Sequence, residues 1–198
     1  MATKRKLNIK QLLKKSYTNS KALQNLAYGA AKKKADRLSK ETLKEFEQHI
    51  VTQEIEKGSS GGGSSLLGGR GNFFGFLGFN KGQQPLEIIR DAFKSHIKVT
   101  NTKGRLKEVS AASFTWEFDI SIPTKTEIYA VTPLEWSSRS WVKGVEKGIT
   151  NATNTIFLDS ERSRSGVALQ SSQNIGFITF RGTPYITPIL NKLKKELK

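Results

Sequence analysis

GSSGGGSSLLGGRGNFFGFLGFNKG, from Gly58 to Gly82, is the stretch on which the reading of this chain turns. Ten of the 17 glycines fall in it, at 58, 61, 62, 63, 68, 69, 71, 75, 78 and 82. Glycine and serine alone would spell a solvated linker. Here they are interleaved with Leu66, Leu67, Phe73, Phe74, Phe76, Leu77 and Phe79. Each such side chain left in water forgoes about 1.5–3 kcal/mol of burial, so the segment has to cover an apolar surface. Glycine makes ordering costly in backbone entropy, which favours ordering on docking. The seven apolar side chains are therefore expected to form an inter-subunit arm. A loop folded back on its own core would satisfy the same residues.

Upstream of the arm, Leu23, Ala27, Ala30, Leu38, Leu43, Phe46 and Ile50 fall close to helical spacing, after possible N-caps at Asn19 and Ser20. One long helix is predicted over about 20–56, roughly 50 Å at about 1.5 Å per residue, with a break near Ser39 as the alternative. Before it, Leu7, Leu12 and Leu13 among lysines suggest a short basic helix. The chain thus divides into a basic helical region (1–57), the Gly/Phe arm (58–84) and a core domain (85–198).

Downstream, Pro85 with Leu86, Ile89, Phe93 and Ile97 predicts a helix over 85–97. Phe114, Trp116, Phe118, Ile120 and Ile122 alternate with polar residues, a half-buried strand that Pro123 ends. A weaker strand at 105–110 precedes it after a turn at 101–104, and another is expected near Glu127–Val131. A non-repetitive connection at 133–141 leads to a short helix reaching about 149. Strands follow at 154–158, 166–171 and 174–181, with an exposed loop at 159–166. A last helix opens at Thr187-Pro188, with Ile189, Leu190, Leu193 and Leu197 on one face. The order gives an α+β class: a long N-terminal helix, a Gly-rich arm, a small antiparallel sheet with packed helices and a C-terminal helix.

Only 36% of the 198 residues are hydrophobic, so some burial is expected to be completed against partners. With no cysteine, nothing points to disulfides, zinc or thiol chemistry. No run approaches the ~18 apolar residues of a membrane span, and no membrane association is expected. The net charge is +16, and residues 1–40 carry twelve basic side chains against Asp36 alone. Lys4, Arg5, Lys6, Lys14, Lys15, Lys32, Lys33, Lys34 and Arg37 are the candidate basic docking surface. Such a surface suits an acidic protein or a phosphate backbone, and a merely solvated face reads the same way.

Chemistry is sparse. His49 and His96 each stand alone in a predicted helix. Glu117 and Asp119, with Lys125 beyond, could suggest a metal nuclease, yet the wet face of an antiparallel strand explains them more simply. Gly75–Lys81 fails the phosphate-loop pattern, and Gly69–Gly75 fails the dinucleotide fingerprint by one residue. No catalytic, cofactor-binding or metal-binding residue is assigned, and no enzyme activity is expected.

Two stretches carry a resemblance. Gly182-Thr-Pro184-Tyr185-Ile-Thr-Pro188-Ile-Leu190 looks like the C-terminal signature of the tail-completion, or neck, proteins of long-tailed bacteriophages. Leu134-Glu-Trp136-Ser-Ser-Arg139-Ser-Trp141, with the glycine-spaced helix behind it, resembles a segment of phage relatives. GGRGNFFGFLGF is similar to such arms, although its length and the basic N-terminus depart from simpler members. The resemblance implies a head–tail connector subunit in a ring, commonly a hexamer, docking on neighbouring neck or connector rings and on the tail terminator or tube, with DNA passing through. It implies a virion location, reached from the host cytoplasm during assembly. A basic nucleic-acid-binding protein is the second reading, and a nuclease the third.

Overall fold

The computed structural model describes residues 20–110, 113–134, 137–149, 155–156, 161–170 and 180–197. In chain order these form α1 Lys21–Gln48, α2 Ile50–Glu56, α3 Phe73–Phe76, α4 Glu87–His96, β1 Lys98–Val99, β2 Arg105–Ser110, β3 Ser113–Glu117, β4 Ile120–Ser121 and α5 Lys125–Ala130. There follow β5 Pro133–Leu134, β6 Ser137–Ser140, α6 Trp141–Lys147, β7 Gly148–Ile149, β8 Thr155–Ile156, β9 Leu169–Gln170, β10 Phe180–Arg181 and α7 Ile186–Glu196. The class is α+β, as expected. Among the described residues the strands pair antiparallel in five separate twos, where one small sheet was expected.

The chain divides into two compact units, one holding the chain up to Leu38 with Ile97–Ile122, the other Ser39–His96 with Pro123–Lys198. These units cut across the three segments expected from sequence, because α1 contributes to both and the arm lies inside the larger one.

In the smaller unit, β2 and β3 form a hairpin with Leu106 opposite Trp116, and Gly104 takes the positive φ of 61° that the preceding turn needs. The expected strand ends at Glu117 and resumes as β4, which pairs with β1 rather than β2. At the break, the Asp119 carbonyl accepts from the Thr100 amide (2.9 Å) and hydroxyl (3.1 Å). The alternation survives the change of partner: Trp116, Phe118, Ile120 and Ile122 are half-buried, and Thr115, Glu117 and Asp119 are exposed. The rings of Tyr28 on α1 and Phe118 lie 6.2 Å apart.

In the larger unit, the predicted single helix is two. α1 runs through Ser39 unbroken, and the break comes at His49, whose backbone is extended. The His49 Nδ1 accepts from the Val51 amide at 3.2 Å and so caps a new helix. The strand expected at Glu127–Val131 is helix α5. A capping box decides it: the Thr124 hydroxyl accepts from the Glu127 amide (3.2 Å), and the Glu127 carboxylate accepts from the Thr124 amide (2.7 Å). The β-branched and aromatic residues of the segment suggest a strand, but two satisfied helix-start amides outweigh that weak propensity.

The core of this unit is a run of aromatic rings. Phe93 meets Phe46 (5.6 Å), Phe46 meets Tyr185 (5.9 Å), Tyr185 meets Trp141 (6.2 Å), and Trp141 meets Phe79 (5.5 Å). A second cluster joins Phe73, Phe76 and Phe180 at 5.5–5.9 Å.

Candidate functional site

The arm is resolved by its own hydrogen bonds. The Asn72 side chain accepts from the Gly75 amide (2.7 Å) and starts α3, while its Nδ2 donates to the Gly58 and Gly61 carbonyls at 2.8 Å each. One side chain thereby ties the middle of the arm to its beginning. The Ser64 amide donates to the Gly71 carbonyl (2.7 Å), and the Lys81 amide to the Arg164 carbonyl (2.9 Å). Phe73, Phe74, Phe76, Leu77 and Phe79 are each 1–2% exposed, Leu67 is buried and Leu66 half-buried. The expectation that these side chains await a neighbouring subunit is corrected, since the single chain already covers them. Gly75 shows why glycine is needed: a methyl there would come within 2.8 Å of Val167 and 3.2 Å of Ser165. Ser165, from the loop expected to be exposed, is itself buried.

The stretches 134–148 and 182–190 converge on Glu146. Its carboxylate accepts from the Thr187 amide (2.6 Å), the Thr187 hydroxyl (2.9 Å), the Tyr185 amide (3.3 Å) and the Tyr129 hydroxyl. The Lys125 Nζ stands 3.8 Å away. Burial pushes the Glu146 carboxyl up, but the Tyr129 and Thr187 hydrogen bonds outweigh it and hold the group below its ordinary value. Burial, then the bond to Glu146, raises the Tyr129 hydroxyl. The Thr183 amide donates to the Val145 carbonyl (2.8 Å), and a methyl on Gly182 would overlap the Glu146 carbonyl oxygen. Tyr185 is fully buried and its hydroxyl shares a 2.8 Å hydrogen bond with Thr52. Trp141 is buried, Arg139, Pro184 and Pro188 are exposed, and Trp136 lies outside the described residues.

Of the basic surface, Lys32, Lys33, Lys34 and Arg37 are exposed on α1, and Lys4, Arg5, Lys6, Lys14 and Lys15 lie outside the described residues. Leu26 on the same helix is 75% exposed and Leu23 40%. An outward leucine so close to the lysines is the surface signal that composition alone did not single out.

The suspected nuclease residues are each engaged within their own unit. Glu117 pairs with Lys107 (2.9 Å) and Asp119 with Arg105 (3.2 Å), while Lys125 sits by Glu146. His49 caps α2, and His96 Nδ1 lies 3.0 Å from the Ala92 carbonyl. Among the described residues, no group of three or more His, Asp or Glu is arranged to hold a metal ion, and no helix is long and apolar enough to cross a membrane. Arg90 gathers Glu47 (2.6 Å), Glu87 (2.6 Å) and Glu56 (2.8 Å) beside a pocket of about 360 Å³ that Gln83, Gln84 and Phe74 also line. The bond from Arg90 holds Glu47 below its ordinary value. Sequence reasoning passed over Asn72, Arg90 and Glu146. The Asn72-x-x-Gly75 spacing is a legible cap signal, whereas nothing local marks the other two.

No family model matches the chain, and no curated relative or solved structure resembles it significantly.

Proposed function

We propose that this chain is a non-enzymatic structural protein of the bacteriophage head–tail junction, a neck or tail-completion subunit that joins the connector to the tail and lets DNA pass. The observation that carries the reading is the meeting of its two family-like stretches. Residues 134–148 and 182–190 lie far apart in sequence, yet Glu146 binds both Tyr185 and Thr187, and Trp141 meets Tyr185. Two motifs distant in sequence that fold into one hydrogen-bonded knot behave as one scaffold feature. The polar groups of the knot are spent on holding helix α7, which suits a structural part.

With the arm internal, the joint between subunits or rings falls to exposed surface. The basic, leucine-bearing side of α1 is the strongest candidate for contact with acidic neighbouring rings. This reading needs no cofactor, and it places the protein in the virion after assembly in the host cytoplasm.

Negative-stain microscopy and light scattering across protein concentration test it. Closed rings, alone or on addition of connector, are expected. A chain that stays monomeric throughout and binds duplex DNA with a steep log-linear salt dependence favours the second reading, a nucleic-acid-binding protein, for which the exposed Lys32, Lys33 and Lys34 speak.

A further inference from the structure

We infer that the outward side of the first half of α1 docks an acidic protein surface bearing apolar side chains, rather than nucleic acid. This deepens the assembly reading and rests on it. At about 100° per residue, Leu23, Leu26, Ala30, Lys33 and Arg37 fall within about 80° of one another, roughly opposite Tyr28 and Ala35, with Lys34 at the edge of the strip and Lys32 on the Tyr28 side. The inward side holds the contacts: Ala35 and Leu38 are 1% exposed, and Tyr28 faces Phe118. The outward side has the leucines in water, with Leu26 the most exposed large apolar residue described.

A helix ordinarily turns leucine inward and alanine or lysine outward. Here Leu23 and Leu26 lie outward beside Lys33, so among the described residues these two leucines are largely left out of the packing. Lys32, Lys33 and Lys34 have no carboxylate partner among the described residues. An opposite charge brought from outside would complement them. Apolar centre and charged border is the anatomy of a protein interface. A strip for single-stranded nucleic acid would offer aromatic stacking platforms in place of leucines.

The charge also selects among occupants. Residues 1–19 of the same chain contain six basic residues and no acidic one, so they bring no opposite charge to the strip. A second copy presenting the same strip is repelled likewise. A different, acidic protein remains.

The test uses the full chain and three probes at physiological ionic strength: a 20-residue glutamate-rich helical peptide with a leucine seam, the same peptide with serines in the seam, and a 20-base-pair DNA duplex. The leucine peptide is expected to bind at least tenfold tighter than the serine peptide. Leu23→Ser with Leu26→Ser should erase that difference, and Lys33→Glu with Lys34→Glu should weaken both peptides at least tenfold. Circular dichroism checks the fold, and Leu26→Gln alone serves if the double variant loses helix. Equal affinity for the two peptides, with rings still formed, overturns the inference and spares the assembly reading. Tighter binding of the duplex, without rings, overturns both.

Discussion

The carboxylate of Glu146 caps a helix forty residues away, accepting the Thr187 amide at 2.6 Å and the Thr187 hydroxyl at 2.9 Å. Helix α7 has no side-chain cap of its own at Tyr185, so its first amides would be left unpaired without this remote acceptor. A negative charge also suits a helix N-terminus.

Removing that acceptor should cost the fold heavily. Glu146→Ala leaves two hydroxyls, of Tyr129 and Thr187, and two amides, of Tyr185 and Thr187, without their partner, and at least about 1.5–3 kcal/mol of stability should go, the worth of a single hydrogen bond to a charged group. Glu146→Gln keeps the shape and should lose roughly half as much. Because the folded carboxyl sits below its ordinary value, its contribution is present above the ordinary carboxylate range and is lost as pH falls through the folded value. Urea unfolding monitored by tryptophan fluorescence from pH 7 to pH 3 should show wild type losing an acid-sensitive component that Glu146→Gln lacks.

His49 predicts a second, separate pH dependence. Its Nδ1 accepts the Val51 amide only while unprotonated. Burial lowers its pKa from 6.5, with the Pro184 backbone and Glu45 pulling the other way. Stability from the neutral ring is thus present above 6.5 and is lost as pH falls through the lower folded value. About 1 kcal/mol, the worth of an N-cap, should disappear as pH falls from 6.5 through the lower folded value. His49→Asn caps without titrating in that range, and its melting temperature should hold constant there.

The arm can be tested as core. Phe74→Ser or Phe76→Ser removes a ring that is 2% exposed and should cost at least the 3–5 kcal/mol typical of a buried Phe→Ala change. Gly75→Val should be comparably damaging, because Val167, Ala168 and Ser165 already crowd that position. Thermal melts of the single variants check both. A well-folded Phe76→Ser chain that merely fails to assemble would return the arm to a role between subunits.

What could be read directly was local. Ile89 and Phe93 recur at helical spacing and lie buried on α4, with Leu86 buried just before it, and Ile189, Leu190 and Leu193 lie buried on α7. The 101–104 turn and the β2 strand also stand where their residues indicate, since a turn needs only its own few dihedrals. Thr124-x-x-Glu127 was legible as a helix start, and the β-branched residues after it concealed the signal.

The amino-acid order by itself determined that the phenylalanines of the arm had to be covered, that α1 would be strongly basic, and that the class would be α+β. Only the tertiary structure decided what covers the arm, namely Phe180, Trp141 and the 165–168 loop, and which carboxylate holds α7. Hydrophobic free energy depends on how much area is removed from water and is indifferent to whose atoms remove it. A composition rich in phenylalanine therefore demands burial without naming the surface. Naming it takes the particular close approach of backbones, at Gly75 and Gly182, that folding brings about.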